Sequence, residues 1–161
     1  MHEAHTITTR AYTPDDAAAT LGIFLRAITE IASADYTALQ IRAWAGPTRR
    51  SLASWHDARA AAATLVAVAD GQIAGFADVS PRGYVDMMFV SPDSVRQGVG
   101  SRLMVELSER AVLAGAHELS TNASITAVPF FEHHGFTVVA EQHPEIAGTR
   151  LTNYRMTKRL L

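Results

Sequence analysis

Ser91-Pro92-Asp93-Ser94-Val95-Arg96-Gln97-Gly98-Val99-Gly100-Ser101-Arg102-Leu103 follows an apolar run, Tyr84 to Val90. It precedes Leu103, Leu107, Ala111 and Ala114, which recur at helical spacing. The stretch reads as the end of a strand, a short loop and the start of a helix. Gly98 and Gly100 let backbone N–H groups come together without interference from Cβ. At a helix start those amides have no intrahelical acceptor and stand at the positive end of the dipole. Such a place suits phosphate or pyrophosphate, and Arg96 and Arg102 add charge around it. A glycine-rich turn before a helix can also be only a turn, so the rest of the chain decides.

The chain has 161 residues, which fits one domain able to bury about two-thirds of its unfolded surface. With 48% hydrophobic and 19% charged residues it is an ordinary globular sequence rather than a disordered one. A net charge of −2 provides no overall basic field for nucleic acid or an anionic membrane. The absence of cysteine excludes disulfides, thiolate metal ligands and a cysteine nucleophile. Met1-His2-Glu3-Ala4-His5 lacks the apolar core of a signal peptide. The longest small-apolar run, Ala58 to Ala69, contains Arg59 and falls short of the ~20 residues of a membrane span. The expectation is a soluble cytoplasmic domain covering 1–161, without nucleic-acid or membrane partners. A homodimer is left open.

Thr6 to Tyr12 reads as a first strand. Thr13-Pro14-Asp15-Asp16 is a helix start, and Leu21, Phe24, Leu25, Ile28 and Ile31 carry that helix to about Ala32. Thr37 to Ala45 and Ser51 to Ala63 predict two further helical pieces, the first stopping at Gly46-Pro47. Thr64 to Ala69 and Gln72 to Val79 flank Asp70-Gly71, a strong hairpin signal. After the turn Ser80 to Gly83, Tyr84 to Val90 predicts a third antiparallel strand. A helix over 101–114, a strand over 117–122 and a short helix over 126–134 follow. Strands over 136–141 and 151–157 close the chain, joined by a polar connector, Gln142 to Gly148. The result is a mixed α+β domain.

Four features coincide: strands ending in Asp86-Met87-Met88-Phe89-Val90-Ser91-Pro92, the loop Arg96-Gln97-Gly98-Val99-Gly100, an amphipathic helix, and Ala127-Val128-Pro129-Phe130-Phe131-Glu132-His133-His134-Gly135-Phe136. Together they resemble the GCN5-related N-acetyltransferases, over most of the chain. The family loop pattern is Gln/Arg-x-x-Gly-x-Gly/Ala. Both glycines match, whereas Val95 stands at the Gln/Arg position and Arg96 one place later. The resemblance implies a central, mostly antiparallel sheet of about seven strands flanked by about four helices. It also implies acetyl-CoA as co-substrate. Arg96, Gln97, Gly98, Val99, Gly100 and Ser101 would surround its phosphates. Met88, Phe89 and Val90 would line its pantetheine arm, with Asn122, Ser124 and Phe131 on the other side.

The implied reaction moves an acetyl group from acetyl-CoA to a primary amine of a small molecule or peptide. A free amine near pKa 10.4 must lose a proton at neutral pH, often through water to a carboxylate. Asp86, mid-strand in an apolar run, is the candidate base, against the alternative of an acid paired with an arginine. Many relatives protonate the leaving thiolate with a tyrosine where this chain has Phe131. Tyr154 is the candidate substitute, although a thiolate can also leave unassisted. Asp35, Tyr36, Trp44 and Tyr84 are the candidate acceptor-binding residues, with Trp55 and Tyr154 as further candidates to line the pocket; Trp44 and Trp55 are by base rate more often packing residues. His133 and His134 diverge on a helix, and His2 and His5 form no zinc motif, so no metal is expected. The alternative function is a non-catalytic acyl-CoA-binding sensor or interaction module on the same fold. No Lys-Ser/Thr follows the glycines, which disfavours a P-loop.

Overall fold

Hairpin chemistry and helix caps place most elements where the sequence predicts them. The computed structural model describes residues 6–46 and 51–160; His2, His5 and Pro47 lie outside the described residues. Strand β1 (Ile7–Ala11) leads into a helical stretch that opens with a 3-10 turn at Pro14–Asp16. The stretch continues as α1 (Ala17–Arg26), a π-helical turn at Ala27–Ile31 and a 3-10 turn to Ala34. Helix α2 (Ala38–Ala45) is capped at Thr37, whose hydroxyl accepts from Gln40 N–H while Gln40 Oε1 accepts from Thr37 N–H. It ends at Gly46 with φ +86°, followed by α3 (Leu52–Ala61). Pro14–Ala34 is long and apolar enough to cross a membrane by length and composition, but Ile23, Phe24 and Ile28 on it are buried within the protein.

Strands β2 (Leu65–Ala69) and β3 (Gln72–Ala77) form the expected hairpin, with Asp70 and Gly71 at φ +52° and +76°. Then come β4 (Tyr84–Val85), β5 (Met88–Val90), α4 (Val99–Leu113) and β6 (Glu118–Ser124). The chain closes with α5 (Val128–His133), β7 (Thr137–Gln142), β8 (Glu145–Ile146), β9 (Thr149–Arg150) and β10 (Asn153–Arg159). The connector Gln142 to Gly148, expected to be a plain loop, contributes to the β8–β9 hairpin. Its turn, Ala147-Gly148, has both residues at positive φ.

The strands form two four-stranded sheets, ordered β1-β2-β3-β5 and β4-β6-β10-β7. The pairs are antiparallel except β4–β6, which is parallel. Strand β2 is covered on both faces. Leu65, Ala67 and Ala69 pack with Leu103 and Leu107 of α4, and Val66 packs with Phe24, Trp55 and Phe76. Each fully buried large apolar side chain contributes about 1.5–3 kcal/mol, so both layers hold the sheet. Within the second layer Trp55 Nε1–H donates to Thr20 Oγ1 at 2.9 Å, which removes the penalty of a buried indole N–H.

One expectation is corrected. Tyr84 to Val90 is not a single strand in a three-stranded meander: β4 pairs with β6 in the second sheet, and β5 pairs with β3 in the first. The change of sheet occurs at Asp86 and Met87. Asp86 is therefore in a break and exposed, not buried mid-strand; the buried acid beside the break is Asp78. The Asp78 carboxylate takes up the backbone N–H groups of Asp86 and Met87, which a continuous ladder would otherwise use. Helix α4 also begins at Val99, two residues before the expected Ser101.

Candidate functional site

Changing sheet between β4 and β5 leaves two strand edges without partners. Among the described residues, β5 pairs only with β3, and past Thr121 strand β6 pairs only with β10. A cavity of about 500 Å³ lies there. Met88, Phe89 and Val90 from β5 line it, as do Asn122 and Ser124 from β6 and Phe131 from α5. Asp86 and Trp44 also line it, so the structure gathers these predicted residues around one space.

Strand β5 runs on into the glycine loop. Arg96 and Gly98 both take left-handed backbone, φ +62° and +86°, and Gly98 caps α4. Arg102 N–H donates to Gly98 O at 3.0 Å as the first helical bond, so the amides of Val99, Gly100 and Ser101 have no intrahelical acceptor. A Cβ on Gly98 would find only Ile7 Cδ1, 4.0 Å away, whereas one on Gly100 would collide with Phe130. Val95 and Phe130 reach the cavity, which joins the loop to it. Gln97 faces a second, more polar hollow of about 450 Å³ beside Arg26 and Ser94. Ser101 Oγ lies 3.2 Å from His134 Nε2, and burial pushes the His134 imidazole pKa down. The rings of His133 and His134, expected to diverge, instead meet edge to face with centroids 5.2 Å apart.

The other predicted residues are spread more widely. Tyr36 borders a small adjoining hollow with Trp44, and its hydroxyl is a structural pin. It donates to Thr152 O at 2.6 Å and accepts from Ile125 N–H at 2.9 Å. Burial pushes its pKa up. Asp35 accepts from Thr126 Oγ1 at 2.7 Å, and Thr126 lines the cavity. Tyr84 is exposed; its hydroxyl accepts from Asn122 Nδ2 at 3.2 Å, and its pKa is raised, first by desolvation and then by Asp86. Tyr154 does not line the cavity: its hydroxyl donates to Glu141 Oε1 at 3.0 Å, which holds its pKa up. Trp55 is buried packing.

The structure adds residues the motifs do not reach. Phe24 and Ile31 from the first helical stretch and Ile146 from the β8–β9 hairpin make the cavity wall apolar. Asp78 lies behind the Asp86 break; burial chiefly, then the charge of Asp86, raises its pKa. In the sequence Asp78 carries the same signal as Asp86, an acid in an apolar run.

The Acetyltransferase (GNAT) domain model matches residues 32–158, and the chain belongs to this family. It is 37% identical over 147 residues to the uncharacterized N-acetyltransferase YafP of Escherichia coli K12, covering 91% of this chain and 92% of that protein. A GCN5-related N-acetyltransferase from Rhodopseudomonas palustris superposes with a TM-score of 0.92 at 33% identity, over 99% of this chain and 100% of the other. YncA of Salmonella typhimurium, solved with its cofactor acetyl-CoA, has a TM-score of 0.69 and 25% identity over 97% and 95% of the chains.

Proposed function

We propose that residues 1–161 form one acetyl-CoA-dependent N-acetyltransferase domain acting on a primary amine of a small molecule or peptide. The carrying observation is the cavity between the unpaired edges of β5 and β6, lined by Asp86 and by Val95 of the loop that turns left-handed at Gly98. The residues fit the co-substrate. Amides without intrahelical acceptors and the open space over Gly98 suit a pyrophosphate, and the apolar strand edges suit a pantetheine arm. Arg96, Gln97, Gly98, Val99, Gly100 and Ser101 would hold the phosphates, and Met88, Phe89, Val90, Asn122, Ser124 and Phe131 the arm. Bound acetyl-CoA supplies the acetyl group as a thioester.

Asp86 accepts the ammonium proton, directly or through one water, and leaves a neutral amine as nucleophile. A backbone N–H near Met88 or Phe89 donates to the oxygen on which charge develops. A thiol has a pKa near 8.5, so a thiolate leaves at modest cost without an acid from this chain. Tyr154, the candidate substitute acid, lies outside the cavity lining with its hydroxyl given to Glu141, which favours departure of the thiolate without it. Phe131 at the usual tyrosine position favours a second reading, a non-catalytic acyl-CoA-binding module.

Two measurements separate these readings. At about a hundredfold excess over Kd, acetyl-CoA should raise the melting temperature by about 5–10 °C under either one. Thiol release in the presence of an amine library then occurs only for the enzyme. No thermal shift would sink both, and a shift without thiol release would leave the binding module.

A further inference from the structure

Asp78 follows the last residue of β3 and is 3% exposed. Its Oδ1 accepts from the backbone N–H groups of Asp86 and Met87 at 3.2 and 3.4 Å, and its own N–H donates to Met87 O at 3.0 Å. These bonds tie β3 to the two residues where the chain passes between sheets. The other carboxylate oxygen, Oδ2, stands 4.0 Å from Arg59 Nη1. Among the described residues, Oδ2, Arg59 Nε and Arg59 Nη1 have no hydrogen-bond partner. Arg59 is 5% exposed, and its guanidinium lies 4.6 Å from the Trp55 ring centroid. The cation therefore supports the buried carboxylate by charge at a distance, while hydrogen bonding to the break falls to Oδ1.

We propose that Asp78 is a positioning residue of the transfer site: its carboxylate, backed by Arg59, fixes the break at Asp86 and Met87. It thereby sets where the Asp86 side chain and the first amides of β5 stand along the cavity. The chemistry rests on the acetyltransferase reading; the role at the break rests on geometry alone. Misplacement of a reacting group by about 1 Å can cost on the order of 10²-fold in rate. A pair serving stability alone behaves differently, because replacing a buried ion pair by apolar residues of similar volume is often neutral or stabilising.

Two double variants of the full chain make the test. Asp78→Asn with Arg59→Met keeps a side-chain oxygen for the two amides and removes the buried cation. Asp78→Leu with Arg59→Met fills similar space and removes that acceptor. The Asn form should keep kcat within about threefold of the unaltered protein, and the Leu form should lose at least about tenfold, with KM for acetyl-CoA changed less than about twofold in both. Equal kcat in the two folded variants overturns the proposal. Should the Leu form not fold, hydrogen exchange in the unaltered protein decides. Slow exchange at the Asp86 and Met87 amides supports the proposal, and exchange as fast as in an exposed loop overturns it. A protein that binds no acetyl-CoA sinks the acetyltransferase reading instead and leaves the exchange result standing.

Discussion

Phe130 lies so close over Gly100 that a Cβ placed there would stand 2.7 Å from Cε2 of the ring. The contact joins the start of α4 to α5, and Phe130 in turn lines the cavity. Its ring is flanked by Phe131 at 5.2 Å and His134 at 4.6 Å between centroids, so it has neighbours on more than one side. Gly100→Ala must push this ring or the helix aside, at a cost of about 1–2 kcal/mol. Thermal denaturation of Gly100→Ala beside Gly100→Ala with Phe130→Leu measures it. The second substitution should return part of the lost stability, and equal stability of Gly100→Ala and the unaltered protein would show that the ring yields freely.

Gly98 serves a different purpose. It is left-handed at φ +86°, and the space over it is open. A side chain there costs about 1–2 kcal/mol of backbone strain, which the fold should survive. Gly98→Val, by adding bulk where a phosphate has to approach the backbone, is expected to abolish acetyl-CoA binding in calorimetry while leaving the far-ultraviolet dichroism intact. Undiminished affinity would remove the loop from the phosphate site.

Asp86→Asn leaves a side chain of nearly the same shape that cannot take a proton from an ammonium group. The expected loss is about 10²–10⁴-fold in kcat, with the pH profile of the rate altered and acetyl-CoA affinity kept. An unchanged rate and profile would return Asp86 to being an exposed acid in a strand break.

Acid stability should report on Asp16, whose carboxylate accepts from Arg10 Nη1 and Nη2 at 2.7 and 2.9 Å and from Thr13 N–H at 2.8 Å. The Arg10 hydrogen bond above all holds its pKa below the ordinary carboxylate range. A lowered folded-state pKa gives stability that is present above the unfolded value, about 4, and is lost as pH falls through the folded one. With Arg10 half exposed, Asp16→Asn should cost about 1–2 kcal/mol at neutral pH. The gap between variant and unaltered protein should narrow as pH falls below about 4. Asp78, raised by burial, contributes with the opposite sign, favouring the fold when protonated. A gap constant over that range would mean that the Asp16 charge is not what stabilises.

Wherever a signal is local, the sequence alone is enough. Asp70-Gly71 makes its hairpin, Thr37 and Gln40 make their reciprocal cap, and the glycines of the loop start α4 because backbone geometry is settled within a few residues. The resemblance carried by the loop and by Phe130 to Phe136 likewise places the chain in its family. What only the tertiary structure decided is how strand edges meet. Tyr84 to Val90 has the composition of one strand, and no periodicity marks its division at Asp86, since the acceptor that ends the ladder is Asp78, just past the end of β3. Tyr36 looked like a residue of the acceptor pocket and is held by Thr152 and Ile125, more than 80 positions away in the chain. The role of Gly100 depends on Phe130 in the same way. Hydrogen-bond acceptors and ring contacts brought in from distant segments leave no mark on the local pattern, and here those contacts shape the cavity beside the loop that begins at Ser91.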